Sequence, residues 1–270
     1  MYIVNNNIGD RMISDLMLEA INIKDNGLVT NVKRKNGLKV TTVLSCDDSV
    51  VKKGKYITIE FKDIFNKYIK NEVIKELKVL LKDNNINDDD SALIIGLGND
   101  DSTPDSLGPL VIGNIIVTRH LESLGLNSSR VVSAIKPGVT GETGIETKDI
   151  IKGVIEKVKP AFLIVIDALK SESLQRLSKT IQLTDTGIHP GSGVNNKRIG
   201  LSKETLGIPV IAIGVPTVCD IKTIIKGVTK KKINNIPEMI VTPKNIDFII
   251  EKMSDLLSVC INSVLYGFKI

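Results

Sequence analysis

The sequence predicts an α/β fold, in which a mostly parallel sheet carries helices on both faces and a β-rich extension precedes it at the N-terminus. From Ala92 onward, fully apolar runs of strand length alternate with segments of helical periodicity, which is typical of a parallel sheet buried on both faces. Before that point, Gly27–Ser45 contains two β-like runs joined at Asn36-Gly37, a strong hairpin signal. Aromatic residues make up only 3% of the chain, so aliphatic side chains must fill the core.

The stretch Ala92–Leu110 is predicted to organise the sheet. Its apolar start is followed by a turn containing Gly96 and Gly98, which suits the exit from a buried strand. Thr103-Pro104 then predicts a helix N-cap followed by proline at the first helical position. Asp105 is therefore expected within about one turn of a helix N-terminus.

Hydrophobic periodicity predicts the remaining elements. Helices are expected over Phe65–Leu81, Ile112–Leu124, Asp149–Val158 and Pro243–Tyr266. Strands are expected over residues 55–61, 131–135, 162–166, 181–185 and 209–216. The sequence has no internal repeat and no low-complexity linker. We therefore predict a leader over residues 1–20 and a single α/β domain over residues 21–270.

Composition and charge narrow the class of protein. The net charge is +5, and the densest basic runs, Lys33–Lys35 and Lys230–Lys232, are short. Such runs are typical of solvated loops, so we expect no nucleic-acid partner. The three cysteines have neither the spacing of a disulfide framework nor that of a zinc site. The N-terminus lacks a secretory signal and no apolar run has the length of a membrane span, so the sequence predicts a cytoplasmic protein with no membrane partner.

Two aspartates are the candidate catalytic residues. Ligands of open parallel sheets bind at the carboxyl ends of the strands, where Asp105 follows one strand and Asp167 ends another. Burial at the end of an apolar strand favours a protonated Asp167, whereas a helix N-terminus favours an ionised Asp105. Two carboxyls in different environments are what general acid and general base roles require. From spacing alone, the more common alternative is that both aspartates act as caps, which accept hydrogen bonds from backbone amides.

The same edge of the sheet is predicted to bind substrate through Gly96, Gly98, Asn99, Asp185, His189 and Gly191. Backbone amides of the two glycine loops would hold the substrate or an oxyanion. A single histidine in such a loop is more often a hydrogen-bonded residue than a base or a metal ligand. The sequence has no nucleophile elbow, dinucleotide fingerprint or P-loop, and we predict no metal and no cofactor.

Six longer segments resemble one known family. They are GLGNDDSTPDSLGPLVIGNIIVTRHL, SAIKPGVTGETGIETKDII, KPAFLIVIDAL, IQLTDTGIHPGSGVNNKR, LSKETLGIPVIAIGVPTVCD and MIVTPKNIDFIIEKM. Together they resemble the germination proteases of spore-forming Firmicutes, over Leu93–Asp220 and again from Met239 to the end. The region Arg11–Ala20 resembles the segment of that family around its zymogen processing region.

The resemblance implies an atypical aspartic endopeptidase that degrades small acid-soluble spore proteins at germination, in the cytoplasm of the spore core. It also implies an inactive zymogen, which would make residues 1–20 a pro-segment, a homotetramer, and a fold similar to that of the hydrogenase maturation endopeptidases. The two essential aspartates of the family fall in its TPD-x-LGP and IDAL motifs, which contain Asp105 and Asp167 in this sequence.

The sequence departs from the family pattern at two places and leaves two other functions open. Region 220–239 is much shorter than the usual insert of the family, and Lys136 and Glu142 replace small or apolar residues. A metal-dependent peptidase would use Asp105, Asp167 and His189 as ligands. A non-catalytic protein of the same fold would bind spore proteins or a phosphate ligand without turnover.

Overall fold

A single sheet with helices packed against it forms the body of the protein. The computed structural model describes residues 15–20, 27–48, 51–122, 124–126, 130–189, 200–229 and 236–268. The strands in these ranges are β1 Leu28–Lys35, β2 Leu38–Ser45, β3 Gly54–Phe61, β4 Ala92–Gly96, β5 Val132–Ile135, β6 Phe162–Ser171, β7 Thr180–Thr184, β8 Val210–Asp220 and β9 Ile240–Val241. The helices are α1 Met17–Ala20, α2 Tyr68–Asp83, α3 Leu107–Gly113, α4 Arg119–Glu122, α5 Thr140–Thr143, α6 Thr147–Val158, α7 Lys203–Leu206, α8 Ile221–Val228 and α9 Ile246–Tyr266.

The strand order is β1-β2-β3-β7-β8-β6-β4-β5, with β9 paired to β8. Strands β8, β6, β4 and β5 are parallel, whereas β1, β2, β3 and β7 pair antiparallel. The predicted α/β class and N-terminal β-rich extension are confirmed, but the sheet is mixed rather than mostly parallel. The cause is the short connection 172–179, since a parallel return needs a crossover of a dozen or more residues. Strand β7 therefore starts at the edge where β6 ends and runs back.

Helices cover both faces of the sheet, as predicted. On one face, α2, α3 and α9 pack on aliphatic strand residues that include Ile59, Ile94, Ile164 and Ile213. The opposite face, called the α6 face below, packs Leu93, Val165 and Leu169 against Ile151 of α6. Side chains of successive strand residues point to opposite faces, so the sheet is apolar on both. None of the helices in the described part of the chain is long and apolar enough to cross a lipid bilayer.

Two local predictions have opposite outcomes. The hairpin at Asn36-Gly37 is confirmed, because both residues have positive φ and join β1 to β2. The single helix predicted over Ile112–Leu124 is wrong, because α3 ends at Gly113 and α4 begins at Arg119. Between them, the amide of Thr118 donates to the Val132 carbonyl at 3.0 Å, so pairing with β5 replaces helical hydrogen bonds.

Arg130 is a buried cation that fixes the loop before β4. Its side chain is 2% exposed, and its guanidinium donates to the carbonyl oxygens of Asn87 at 2.8 Å and Asp90 at 3.1 Å. The guanidinium carbon also lies 5.3 Å from the ring centroid of Phe162. The loop around the three adjacent aspartates 88–90 is therefore held by contacts from the neighbouring loop and strand.

We expect Arg130→Met to lower the free energy of unfolding by about 1–3 kcal/mol, because methionine keeps part of the apolar packing but cannot donate to the two carbonyls. Urea denaturation would measure the loss. Arg119→Met on α4 is the matched control and is expected to change stability by less than about 0.5 kcal/mol. Equal effects of the two substitutions would contradict this role of Arg130.

Candidate active site

Asp167 is a buried carboxyl at the centre of the sheet. It lies on β6, between β4 and β8, where it is in register with Gly214, and it shares the α6 face with Val165 and Leu169. The residue is only 6% exposed. Burial raises the pKa of Asp167 well above its usual value, and the charges of Asp105 and Asp15 raise it further. Asp167 therefore keeps its proton to a higher pH than an exposed aspartate does and can donate it.

Asp105 is held beside Asp167 by a tight turn after β4. It ends a short 3-10 helix, Thr103–Asp105, with proline at its start. Its amide donates to the Ser102 carbonyl at 2.8 Å, and its own carbonyl accepts the amide of Asn99 at 3.2 Å. The amide of Leu97 donates to the Ile166 carbonyl at 2.8 Å, which places the turn after β4 beside Asp167, and the charge of Asp105 raises the pKa of Asp167. The structure thus brings together the two aspartates that the sequence singled out.

Gly96 and Gly98 let the Asp105 turn pack directly against β4. A Cβ on Gly96 would lie 2.3 Å from the carbonyl oxygen of Gly108 on α3. A Cβ on Gly98, whose φ is +119°, would lie 1.9 Å from the carbonyl oxygen of Asp105. These glycines, with the Asn99 amide that binds the Asp105 carbonyl, position the aspartate. Their predicted contacts with substrate stay a prediction.

Asp185 is not where the sequence predicted it. Because β7 runs antiparallel to β8, its carboxyl end lies at the edge of the sheet opposite the carboxyl ends of β6 and β8. There Asp185 accepts hydrogen bonds from the Lys55 amide at 2.8 Å and the Asn84 side chain at 3.3 Å. Its position corrects the prediction that Asp185 binds substrate at the edge that carries Asp105 and Asp167, because its contacts join β7 to β3 and to the end of α2.

The loop after β7 folds back over the α6 face. Ile188 forms a two-hydrogen-bond bridge with Leu201, and the His189 ring lies against Gly200. The predicted binding residue Gly191 lies outside the described residues. Among the described residues, no group of three histidine, cysteine, aspartate or glutamate side chains is arranged to hold a metal ion.

Asp15 belongs to the predicted leader, yet the structure places it beside Asp167, where the sequence does not predict it. Asp15 is 3% exposed. Its Oδ2 accepts the amide of Lys170 at 2.9 Å, and its amide donates to the Lys170 carbonyl at 3.3 Å. It also lines a small cavity together with Gln182 and Gly214, the residue in register with Asp167. No local pattern in the sequence signals this placement, since the partners are far along the chain.

Gln182 binds the backbone of residues 15–20, called segment 15–20 below. Its Oε1 accepts the amide of Met17 at 2.8 Å, and its Nε2 donates to the Asp15 carbonyl at 3.3 Å. Leu16 and Met17 are both fully buried. The face of the sheet that carries Asp167 therefore already holds a polypeptide segment by its main chain. Gln182 has no sequence signal of its own, because the strand TIQLT alternates polar and apolar residues.

Comparison with known proteins gives a consistent set of similarities. A family model described as Germination protease matches residues 15–236. The germination protease of Bacillus cereus is 50% identical over 208 residues, and that of Bacillus mycoides is 48% identical over 208 residues. Each alignment covers 72% of this chain and 57% of the relative, so the chain spans little more than half of their length. The NiFe hydrogenase maturation protease HycI from Thermococcus kodakarensis KOD1 is a structural match with 17% identity and a TM-score of 0.40, covering 70% of this chain and 98% of that chain.

Proposed function

Because this chain belongs to the germination protease family, we propose that it is an endopeptidase that degrades small acid-soluble spore proteins during spore germination. The observation that carries the proposal is the buried carboxyl of Asp167 beside Asp105, on the face that holds segment 15–20. We further propose that it acts as an aspartic-type hydrolase in the cytoplasm of the spore core and as a homotetramer, both of which rest on the family.

The proposed reaction uses the two carboxyls in opposite protonation states. Ionised Asp105 takes a proton from water while the water oxygen bonds to the carbonyl carbon of the peptide. Protonated Asp167 then gives its proton to the departing amide nitrogen as the carbon–nitrogen bond breaks. Proton exchange with solvent restores the starting state. Since the two groups interact, their apparent pKa values belong to the pair, and the opposite assignment of acid and base has the same stoichiometry.

Segment 15–20 supports a polypeptide as substrate and also a precursor state. The site binds the main-chain groups of Asp15 and Met17, and main-chain groups are common to every protein substrate. A substrate that approaches Asp167 on this face must displace the segment. We therefore propose that the chain is made as a zymogen whose activity requires removal or displacement of this segment.

A digest of a purified small acid-soluble spore protein tests the proposal. We expect cleavage by the wild-type protein, with or without a chelator, and a loss of at least about a thousandfold in rate for Asp105→Asn and Asp167→Asn. Asp149→Asn, an exposed position on α6, is the matched control and should cleave normally.

The other outcomes of the digest separate the competing functions. Cleavage that a chelator abolishes would replace the carboxylate-pair mechanism with a metal-dependent one. If the full chain does not cleave, the digest is repeated with a chain lacking residues 1–20. Cleavage by that shortened chain alone supports the zymogen, and inactivity of both chains would contradict the protease function.

A further inference from the structure

A groove with a volume of about 480 Å³ lies between the β1–β2 hairpin and α2, and we call it the hairpin groove. Its floor is apolar and contains Leu38 and Val40, which are 5% and 7% exposed. Its helical wall consists of four residues on one side of α2: Tyr68, Asn71, Glu72 and Lys75. The groove lies on the face of the sheet that packs against α2, and four strand spacings separate β2 from β6. It is therefore distinct from the candidate active site, which lies on the α6 face.

Positive charge dominates the hairpin groove. The described residues that line it include one acidic residue, Glu72. They also include four basic residues: Lys33, Arg34, Lys35 and Lys75. The first three of these lie on β1 and are called the β1 cations below. In the register of the hairpin, Lys33 and Lys35 are opposite the two floor residues, so their side chains project from the same face of the sheet.

The carboxylate of Glu72 does not balance the β1 cations. It pairs with Lys75, one turn further along α2, at 2.5 Å, and Lys75 also pairs with Glu76 at 2.8 Å. Over the part of the chain that the structure describes, no ion pair includes a β1 cation. Cations that line a concave surface without counter-ions raise the local concentration of anions. The hairpin groove therefore has the electrostatics of a site for a negatively charged ligand.

An aromatic ring lies in the helical wall, and one asparagine ties that wall to the hairpin. Tyr68 is 39% exposed, so its ring is accessible to a ligand in the groove. The Nδ2 of Asn66 donates to the Asn36 carbonyl in the hairpin turn at 2.9 Å, and its Oδ1 accepts the amide of Tyr68 at 3.0 Å. The hairpin and the turn of helix that carries the ring are thus fixed relative to each other before a ligand binds, which lowers the entropy cost of binding.

We propose that the hairpin groove binds a nucleotide unit, with its phosphate at the β1 cations and its base on the Tyr68 ring. Lysine and arginine neutralise phosphates, and aromatic side chains stack on bases of any sequence. A simple anion would use the cations alone, whereas a nucleotide uses the cations, the ring and the apolar floor together. A free nucleotide and single-stranded nucleic acid both present this unit. The inference does not depend on the proposed function, because the groove is separate from Asp105 and Asp167.

The sequence predicts no nucleic-acid partner, because basic runs as short as residues 33–35 are typical of solvated loops. In the structure, however, this run lies on β1 and not in a loop. Tyr68 is more than 30 residues further along the chain, and only the packing of α2 against the hairpin brings it to the same groove as the run. The combination of cations and aromatic ring therefore exists in the fold and not in any one stretch of sequence.

Fluorescence anisotropy of the full chain with two labelled probes, ATP without divalent metal and an oligothymidylate of about eight nucleotides, tests the proposal. We expect at least one probe to bind with a Kd of about 1–100 µM at about 50 mM salt, and to bind more weakly at about 200 mM salt. Tighter binding of the oligonucleotide identifies a nucleic-acid strand as the source of the unit, and tighter binding of ATP identifies a free nucleotide. Inorganic tripolyphosphate should displace the probe at least about tenfold less effectively than ATP, because it has the charge but no base.

Two double variants separate the groove from general attraction to a basic protein. Lys33→Gln with Lys35→Gln should weaken binding of the tighter probe at least about tenfold. Lys152→Gln with Lys157→Gln removes the same charge from exposed positions on α6 and should change the Kd less than about twofold. Tyr68→Leu should weaken binding at least about fivefold, whereas Tyr68→Phe keeps the ring and should bind normally.

Circular dichroism of each variant checks that it is folded before its Kd is compared. Binding of neither probe to the wild-type chain would overturn the proposal, as would displacement by tripolyphosphate as effective as displacement by ATP. An equal loss of affinity in the two double variants would also overturn it. That result would leave the β1 cations with the role of guarding an edge strand against pairing with other chains.

Discussion

Asp167→Asn is expected to abolish proteolysis and, at the same time, to stabilise the fold at neutral pH. The wild-type carboxyl is buried beside the charges of Asp105 and Asp15, which raises its pKa well above the usual value. Keeping this group in the folded protein therefore costs stability once the pH exceeds the pKa of an unfolded aspartate. Asparagine has nearly the same shape and no charge to desolvate. We expect a gain of about 1 kcal/mol or more in the free energy of unfolding at pH 7.

The pH dependence of this gain has a definite sign. Because the folded pKa of Asp167 lies above the unfolded value, the folded state binds more protons, and wild-type stability falls as the pH rises from about 4 toward the folded pKa. The Asn variant lacks this loss of stability. The difference in the free energy of unfolding between the two proteins should therefore be small below pH 4 and widen as the pH rises. Urea denaturation between pH 3 and pH 8 measures it, with Asp149→Asn as the control. A difference that stayed constant or narrowed would contradict the burial of this carboxyl as the cause.

Gly98→Ala is expected to have the largest effect on stability of any small substitution near the site. The new Cβ would lie 1.9 Å from the carbonyl oxygen of Asp105, and the φ of +119° is strained for any residue other than glycine. Neither conflict is relieved by a side-chain rotation, since the atom in the way belongs to the backbone. We expect a loss of about 3 kcal/mol or more in the free energy of unfolding and, because Asp105 must shift, a loss of activity beyond the loss of folded protein.

The matched control for this prediction is Gly153→Ala on α6. A Cβ at Gly153 meets no atom within 4 Å, and alanine favours the helix by up to about 1 kcal/mol. Thermal denaturation of both variants, with the rate of digestion normalised to folded protein, separates the two effects. A Gly98→Ala variant as stable as the Gly153→Ala variant would show that the turn does not depend on this close approach.

Periodicity predicted the elements well but not the direction of every strand. Burial and turn chemistry are local properties of the sequence. The apolar runs therefore predicted β4, β6 and β8, and Asn36-Gly37 predicted the hairpin. The direction of β7 is set by the length of the connection 172–179 and by which neighbours remain unpaired, so it depends on the whole sheet.

The same distinction separates the site residues that could be predicted from those that could not. Asp105 follows β4, and Asp167 follows the apolar run predicted as a strand over residues 162–166, so the rule for parallel sheets placed them together, although β6 in fact continues to Ser171. Asp185 was misplaced because its position depends on the direction of β7. Asp15 and Gln182 were missed because each is recognisable only through a partner more than 150 residues away.

The long separation between segment 15–20 and its partners also has a consequence for biosynthesis. Gln182 lies 165 residues after Met17, and at about 5–20 residues per second the ribosome needs roughly 10 to 30 s to make that stretch. Throughout that time the Gln182 side chain is absent, although Met17 can already pack against Val43 and Tyr56, which are translated early. The hydrogen bonds that hold segment 15–20 by its main chain therefore form late in synthesis, and until then only apolar contacts can hold this early-made segment against the nascent chain.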